Sequence, residues 1–194
     1  MFDAQTDPRL RDQILTYLAG EMLTDRERAR LLGLPEGCRI RERAKILAPE
    51  KLSLGKNVWI GEGAILDAQG GLCIGDNTQI GLNVMVWSHT SYKQAMLGLT
   101  GDSSKEGIRY AETRIGRNCF IAGPSVIAPG ITIGDGVVIG PLTFVDLDIP
   151  DNGVVSAPRD LRKLQNRVDR LEKLVRQLCG KTLSTDDSSR IEFE

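Results

Sequence analysis

Aliphatic residues recur every six positions along most of this chain. Leu54, Ile60 and Leu66 form one run, Ile74, Ile80 and Val86 a second, and Ile115, Ile121, Ile127, Ile133, Ile139 and Val145 a third. Seven of these twelve are followed at once by glycine, as at Gly61, Gly81 and Gly134, and small or β-branched residues such as Val58, Thr78, Cys119 and Ser125 sit four places on. A period of six fits neither an amphipathic helix nor an alternating strand. It fits one short strand plus one corner, with the aliphatic residue pointing inward and the glycine easing a sharp bend. Three such units close a triangular coil of about 18 residues, and coils stack at roughly 4.8 Å. The twelve positions predict about four coils in a prism about 20 Å long.

The phase breaks twice. Leu66 to Ile74 is two residues too long, and Gly70-Gly71 is read as a bulge at one corner. Val86 to Ile115 is far too long, so residues 88–112 are expected to leave the prism as a loop. Long loops in compact repeats are usually functional. This one opens Ser88-His89-Thr90 and holds the single histidine of the chain. Ser88 and Thr90 read as ordinary turn residues.

Helical patterns flank the repeat. Residues 7–33 predict two helices. The first starts at Asp7-Pro8, with Leu10, Ile14 and Leu18 on one face and Gly20 at its end. The second starts at the capping-box pattern Thr24-Asp25-Arg26-Glu27, continues through Leu31 and Leu32, and stops at Gly33-Leu34-Pro35. Both are expected to cover the open first coil and its sheet edge. After Asp148-Ile149-Pro150, Leu161, Leu164, Val168, Leu171, Val175 and Leu178 alternate at spacings of three and four. That is a coiled-coil seam, or equally a helix packed back on its own subunit. The expected organisation is a helical cap over 1–44, the repeat domain over 45–157, a helix over 158–180 and a polar tail over 181–194.

Composition narrows the function classes. The chain has 194 residues, 41% hydrophobic, with 25 Lys+Arg against 26 Asp+Glu. A core is possible, while a wide basic footprint for nucleic acid or a polybasic membrane patch is not expected. No apolar run reaches transmembrane length, and the opening MFDAQTDPRL lacks the charged-then-apolar pattern of a signal peptide. The expected location is the cytoplasm. Cys38, Cys73, Cys119 and Cys179 are widely spaced and read as reduced, packed thiols, with no metal site expected.

The motifs Ile74-Gly75-Asp76-Asn77, Ile115-Gly116-Arg117-Asn118-Cys119-Phe120-Ile121 and Pro129-Gly130-Ile131-Thr132-Ile133-Gly134-Asp135-Gly136, with Asp148-Ile149-Pro150 and the histidine at the loop's root, carry a resemblance. Over about three fifths of its length the chain resembles the hexapeptide-repeat acyltransferases, and among them the galactoside, maltose and xenobiotic acetyltransferases and the bacterial polysaccharide O-acetyltransferases. The resemblance implies a left-handed parallel β-helix. Handedness rests on it alone, since parallel crossovers in general favour the right hand. It also implies a homotrimer with active sites between subunits, acetyl-CoA as co-substrate rather than a bound cofactor, and His89 as general base on an acceptor hydroxyl. A neutral imidazole suits that task.

Further site residues follow from the resemblance and the loop. Gly123 and Pro141 fall where the family lays pantetheine against small residues, although proline has no N–H to donate. Asp146-Leu147 stands where the family often has Thr-Lys, so Arg159, Arg162 and Lys163 are the alternative partners for nucleotide phosphates. Tyr92, Lys93, Arg109 and Tyr110 are expected to line the acceptor site. Trp87 is expected at the mouth of the cleft, stacking on a sugar or packing on the loop. Asn83 either binds acceptor or caps a corner. Trp59 is read as a surface or subunit contact. The open alternatives are N-acetylation of an amino sugar, acetylation of another small acceptor such as an antibiotic or serine, and a non-catalytic scaffold. A zinc site of the three-histidine kind is not expected with one histidine per chain.

Overall fold

Inward aliphatic side chains at a six-residue period can all be buried if the backbone coils around them. A computed structural model that describes residues 21–99, 105–156 and 161–179 has that form. Its first unit, within residues 1–157, is a three-sided parallel β-helix. The first face carries β1 (Arg39–Ile40), β4 (Trp59–Ile60), β7 (Gln79–Ile80), β12 (Phe120–Ile121), β15 (Val138–Ile139) and β17 (Val154–Val155). The second carries β2 (Lys45–Leu47), β5 (Ile65–Asp67), β8 (Met85–Val86), β13 (Val126–Ile127) and β16 (Phe144–Val145). The third carries β3 (Leu52–Leu54), β6 (Leu72–Ile74), β11 (Thr113–Ile115) and β14 (Thr132–Ile133), with Ile149 bridging to Ile133 above it.

Register turns the repeat into a core. Ile60 pairs with Ile80, Ile80 with Ile121 and Ile121 with Ile139, while Leu66 lies under Val86 and Val86 under Ile127. All these side chains are buried, and each contributes about 1.5–3 kcal/mol. Of the twelve periodic residues Leu54 alone is half-buried, since it belongs to the first coil with no rung beneath.

Asparagine shapes the corner between the third and first faces. Asn57, Asn77, Asn118 and Asn152 all take φ near +57°, a conformation asparagine tolerates better than most residues. The first three side chains form a ladder, with Asn57 Nδ2 donating to Asn77 Oδ1 at 3.1 Å and Asn77 Nδ2 to Asn118 Oδ1 at 3.2 Å.

The prism is longer than the repeat predicts. It starts at β1, ahead of residue 45, and runs past Val145 to β17. Ile40 and Ile46 were invisible as rungs because arginine and leucine, not glycine, follow them. The two-residue excess at Leu66–Ile74 also has a precedent in the first coil, where Ile46 and Leu54 are separated by a 3-10 turn at Pro49–Lys51. The long loop leaves from this same corner, one coil higher.

Helix α1 (Asp25–Leu31) begins with the expected capping box: Thr24 N–H donates to Glu27 Oε2 at 3.0 Å, and Glu27 N–H to Thr24 Oγ1 at 3.4 Å. It covers the edge of β1 through an arginine. Arg28 Nη1 donates to the Ile40 carbonyl at 2.7 Å, a group pointing away from β4. Leu31 and Leu32 stay largely exposed. The helix expected over 7–20 lies outside the described residues. In the loop, α2 (Tyr92–Met96) forms a short turn of helix. The second unit, from Pro158, contains α3 (Leu161–Cys179), whose Val168, Leu171, Leu174 and Val175 are exposed. The side chains of Leu161, Leu164 and Leu178 lie outside the described residues, as does the tail over 181–194. Among the described residues no helix is long and apolar enough to cross a membrane.

Candidate active site

A buried carboxylate is tolerated only when hydrogen bonds replace its lost water. Asp67, at the end of β5, is fully buried under the backbone where the loop departs. Its Oδ2 accepts Ser88 N–H at 3.0 Å and His89 N–H at 3.1 Å, and lies 2.5 Å from His89 Nδ1. Its Oδ1 accepts Gln69 N–H at 3.1 Å. Burial pushes the Asp67 carboxyl up, but the bonds from Ser88, the His89 ring and Gln69 outweigh it and hold the group below the usual carboxylate range. An ionised Asp67 assigns the proton of neutral His89 to Nδ1 and leaves Nε2 as the basic nitrogen.

The loop's root is fixed by the same corner. Ser88 is not an ordinary turn residue: it is fully buried, and its Oγ accepts Gly70 N–H at 2.8 Å. Gly70 is required for that approach, since a Cβ there would stand 2.0 Å from the Ser88 carbonyl oxygen. Strand β9 (His89–Thr90) pairs antiparallel with β10 (Arg109–Tyr110), which closes the loop's base.

Aromatic groups hold the imidazole from two sides. The Tyr110 ring is stacked with it at 6.1 Å and 29°, and Trp87 meets it edge-on at 6.3 Å and 73°. In front lies an open hollow of about 440 Å³ lined by Trp87, His89, Thr90, Ser91, Tyr92 and Pro129. Four expected site residues, Trp87, His89, Tyr92 and Tyr110, therefore meet at one corner. Lys93 sits exposed on α2 beside Tyr92.

Asn83, Gly123 and Pro141 form a separate group, one above another on the corner between the first and second faces. Asn83 is exposed with φ +55° and shapes that corner. Gly123 has an internal reason to be glycine, because a Cβ would lie 1.5 Å from the Leu82 carbonyl oxygen. Pro141 is exposed. Arg159 and the side chains of Arg162 and Lys163 lie outside the described residues.

Sequence reasoning missed Asp67. Its one trace is an acid directly after the inward Leu66, in the slot glycine takes after seven of the twelve periodic residues. Burial raises the thiols of Cys38 and Cys119, and that of Cys73 together with neighbouring Glu112. Among the described residues no cluster of His, Cys, Asp and Glu could hold a metal ion.

Residues 112–146 match the family model of the bacterial transferase hexapeptide (six repeats). The chain is 32% identical over 117 residues to WcaF of Escherichia coli (strain K12), named for acetyl transfer in colanic acid biosynthesis, covering 59% of each chain. It is 34% identical over 131 residues to the galactoside O-acetyltransferase of the same organism, covering 65% of this chain and 64% of that one. Among solved structures, a maltose O-acetyltransferase from Clostridium difficile 630 superimposes with a TM-score of 0.58 at 27% identity, covering 79% of this chain and 86% of that one. The chain spans about three fifths of the length of the curated relatives it matches. Residues 112–146 carry the hexapeptide repeat of that model, and the parallel three-sided fold is consistent with a left-handed β-helix.

Proposed function

We propose that this chain is an acetyl-CoA-dependent O-acetyltransferase that transfers acetyl to a saccharide hydroxyl, in the cytoplasm, as a homotrimer. The observation that carries the reading is the Asp67–His89 pair at the edge of an aromatic-lined hollow. The acetyltransferase names of the relatives support the reaction class.

The chemistry follows from the two nitrogens of one ring. Nδ1 donates to Asp67, and Nε2 takes the proton of the acceptor hydroxyl as its oxygen attacks the thioester carbonyl. Asp67 stays ionised and stabilises the imidazolium that forms. The tetrahedral intermediate collapses, the carbon–sulfur bond breaks, and the imidazolium returns its proton to the CoA thiolate. The products are an acetyl ester and CoA thiol. No residue accepts the acetyl group on the way, and both substrates must be bound together. The face of Tyr110 and the indole of Trp87 suit a sugar ring, with Tyr92 and Lys93 farther out along the loop.

The prism's surface supports assembly. Phe120, Val138 and Val154 stand in register outward on the first face, and Ile65, Met85, Val126 and Phe144 on the second. Leu82 and Leu142 are exposed at the corner between them. The third face presents Ser53, Cys73, Arg114 and Thr132 instead. Turning the apolar corner toward a threefold axis covers both apolar faces. It also sets the His89 corner of one subunit at the outer edge of the seam with its neighbour, beside that neighbour's asparagine corner, while Asn83, Gly123 and Pro141 lie toward the axis with Leu82 and Leu142. Arg159, Arg162 and Lys163 are the proposed phosphate contacts.

Release of CoA thiol, followed colorimetrically against sugars, amino sugars and small hydroxyl acceptors, tests the assignment. Thiol release that depends on a sugar hydroxyl is expected. Release with an amino sugar alone would move the reading to N-acetylation, and none with any acceptor would favour a scaffold.

A further inference from the structure

Lys51 was not singled out by its sequence, yet it belongs to the same corner as His89. It ends the 3-10 turn Pro49–Lys51 of the first coil, and its Nζ donates to the Gln69 carbonyl one coil above at 2.8 Å. Gln69 N–H in turn donates to Asp67 Oδ1. One short stretch, Asp67–Gln69, thus fixes both the imidazole and the ammonium. Lys51 Nζ also stands 5.9 Å from the centre of the Tyr110 ring, the ring stacked with His89. The ammonium and the imidazole therefore each lie about 6 Å from the centre of one tyrosine ring.

The ammonium is not neutralised by a neighbouring acid among the described residues. Glu112 is held by Arg114 at 2.6 Å and accepts from the Cys73 thiol, and Asp67 is buried and saturated. An ammonium has three protons, and Gln69 takes one. A fixed cation with unused donors beside a sugar-stacking ring is the chemistry that recognises a carboxylate.

We propose that the acceptor is an acidic saccharide, and that Lys51 binds its carboxylate while Tyr110 packs against the ring and His89 receives the hydroxyl proton. This rests on His89 acting on a saccharide hydroxyl, as proposed above. Lys51 is a specificity residue with no part in the proton transfer.

The single histidine makes binding observable without turnover, because these 194 residues contribute one imidazole ring to an NMR spectrum. Methyl glucuronide is expected to shift that signal saturably and about fivefold more tightly than methyl glucoside. Lys51→Met should bring the glucuronide to the affinity of the glucoside, and Lys51→Arg should keep the preference. Equal affinities in the unaltered protein, or no saturable shift with the glucuronide, overturn the proposal. So does a Lys51→Met protein that loses both ligands alike, since Lys51 would then be a prop for the Gln69 corner. In turnover, KM for the glucuronide should rise in Lys51→Met with KM for acetyl-CoA unchanged. A rise for acetyl-CoA instead would assign the ammonium to CoA phosphates. Absence of CoA release with every acceptor would remove the acetyltransferase reading, while the NMR titration would still report on the binding of the acidic sugar.

Discussion

His89 and Asp67 form one hydrogen-bonded unit, and single substitutions separate the roles proposed for them. Removing the ring in His89→Ala takes away Nε2 and is expected to lower turnover at least about 10²-fold. Circular dichroism should be unchanged, since the ring is not part of the aliphatic core. Asp67→Asn keeps the volume and an oxygen for the Ser88 and His89 N–H groups but removes the negative charge proposed to stabilise the imidazolium. Turnover should fall about as far, with little change in KM. The same carboxyl makes stability depend on pH. Its folded pKa lies below the ordinary value, near 3.9 in an unfolded chain, so its contribution is complete above about pH 4 and is lost as pH falls through the lower folded value. Urea midpoints of the unaltered protein and Asp67→Asn should therefore differ by a constant amount from pH 7 to 5 and converge below pH 4. A gap that widens in acid would contradict the ionised, hydrogen-bonded carboxylate. His89 could be picked out as a candidate from the sequence because it is the single histidine and stands where the six-residue phase breaks. Asp67 could not, because its partners are 21 and 22 residues away and only stacking of coils brings them together.

At the scale of one rung and its corner, the sequence was legible wherever glycine followed the aliphatic residue. The first coil was hidden, with Arg41 and Leu47 in those slots, and so was the left-handed corner that asparagine serves as well as glycine. Corners also hold the least tolerant positions. Gly123→Ala drives a Cβ into the Leu82 carbonyl and is expected to cost about 1–3 kcal/mol, read from thermal or urea unfolding. At Asn77, glycine should be nearly neutral in backbone terms, whereas valine loses both the favourable φ and the ladder bond to Asn118. A cost of about 1–2 kcal/mol is expected for Asn77→Val. If valine proved harmless there, the asparagine ladder would be incidental to the fold.

For the whole molecule, the outward side chains matter as much as the inward ones. A lone prism would leave Phe120, Val138, Phe144, Val154, Leu82 and Leu142 in water, at exposures from 40% to 77%. Exposed apolar residues grouped on two faces and the corner between them mark an interaction surface. In the proposed trimer a second copy would supply the complementary surface, and three copies would close the arrangement so that no apolar face is left over. The exposed seam of α3 points the same way, although fewer than three heptads are marginal without the prism. The two contributions can be separated. Phe144→Glu places a charge on the second face, clear of the Asp67–His89 pair, and is expected to give a folded monomer by light scattering. Removing the residues after 157 should leave the trimer in place but raise its dissociation constant. If each site lies between subunits, the Phe144→Glu monomer should lose turnover at least about 10²-fold while its circular dichroism stays unchanged. A monomer that keeps full turnover would confine the site to one prism.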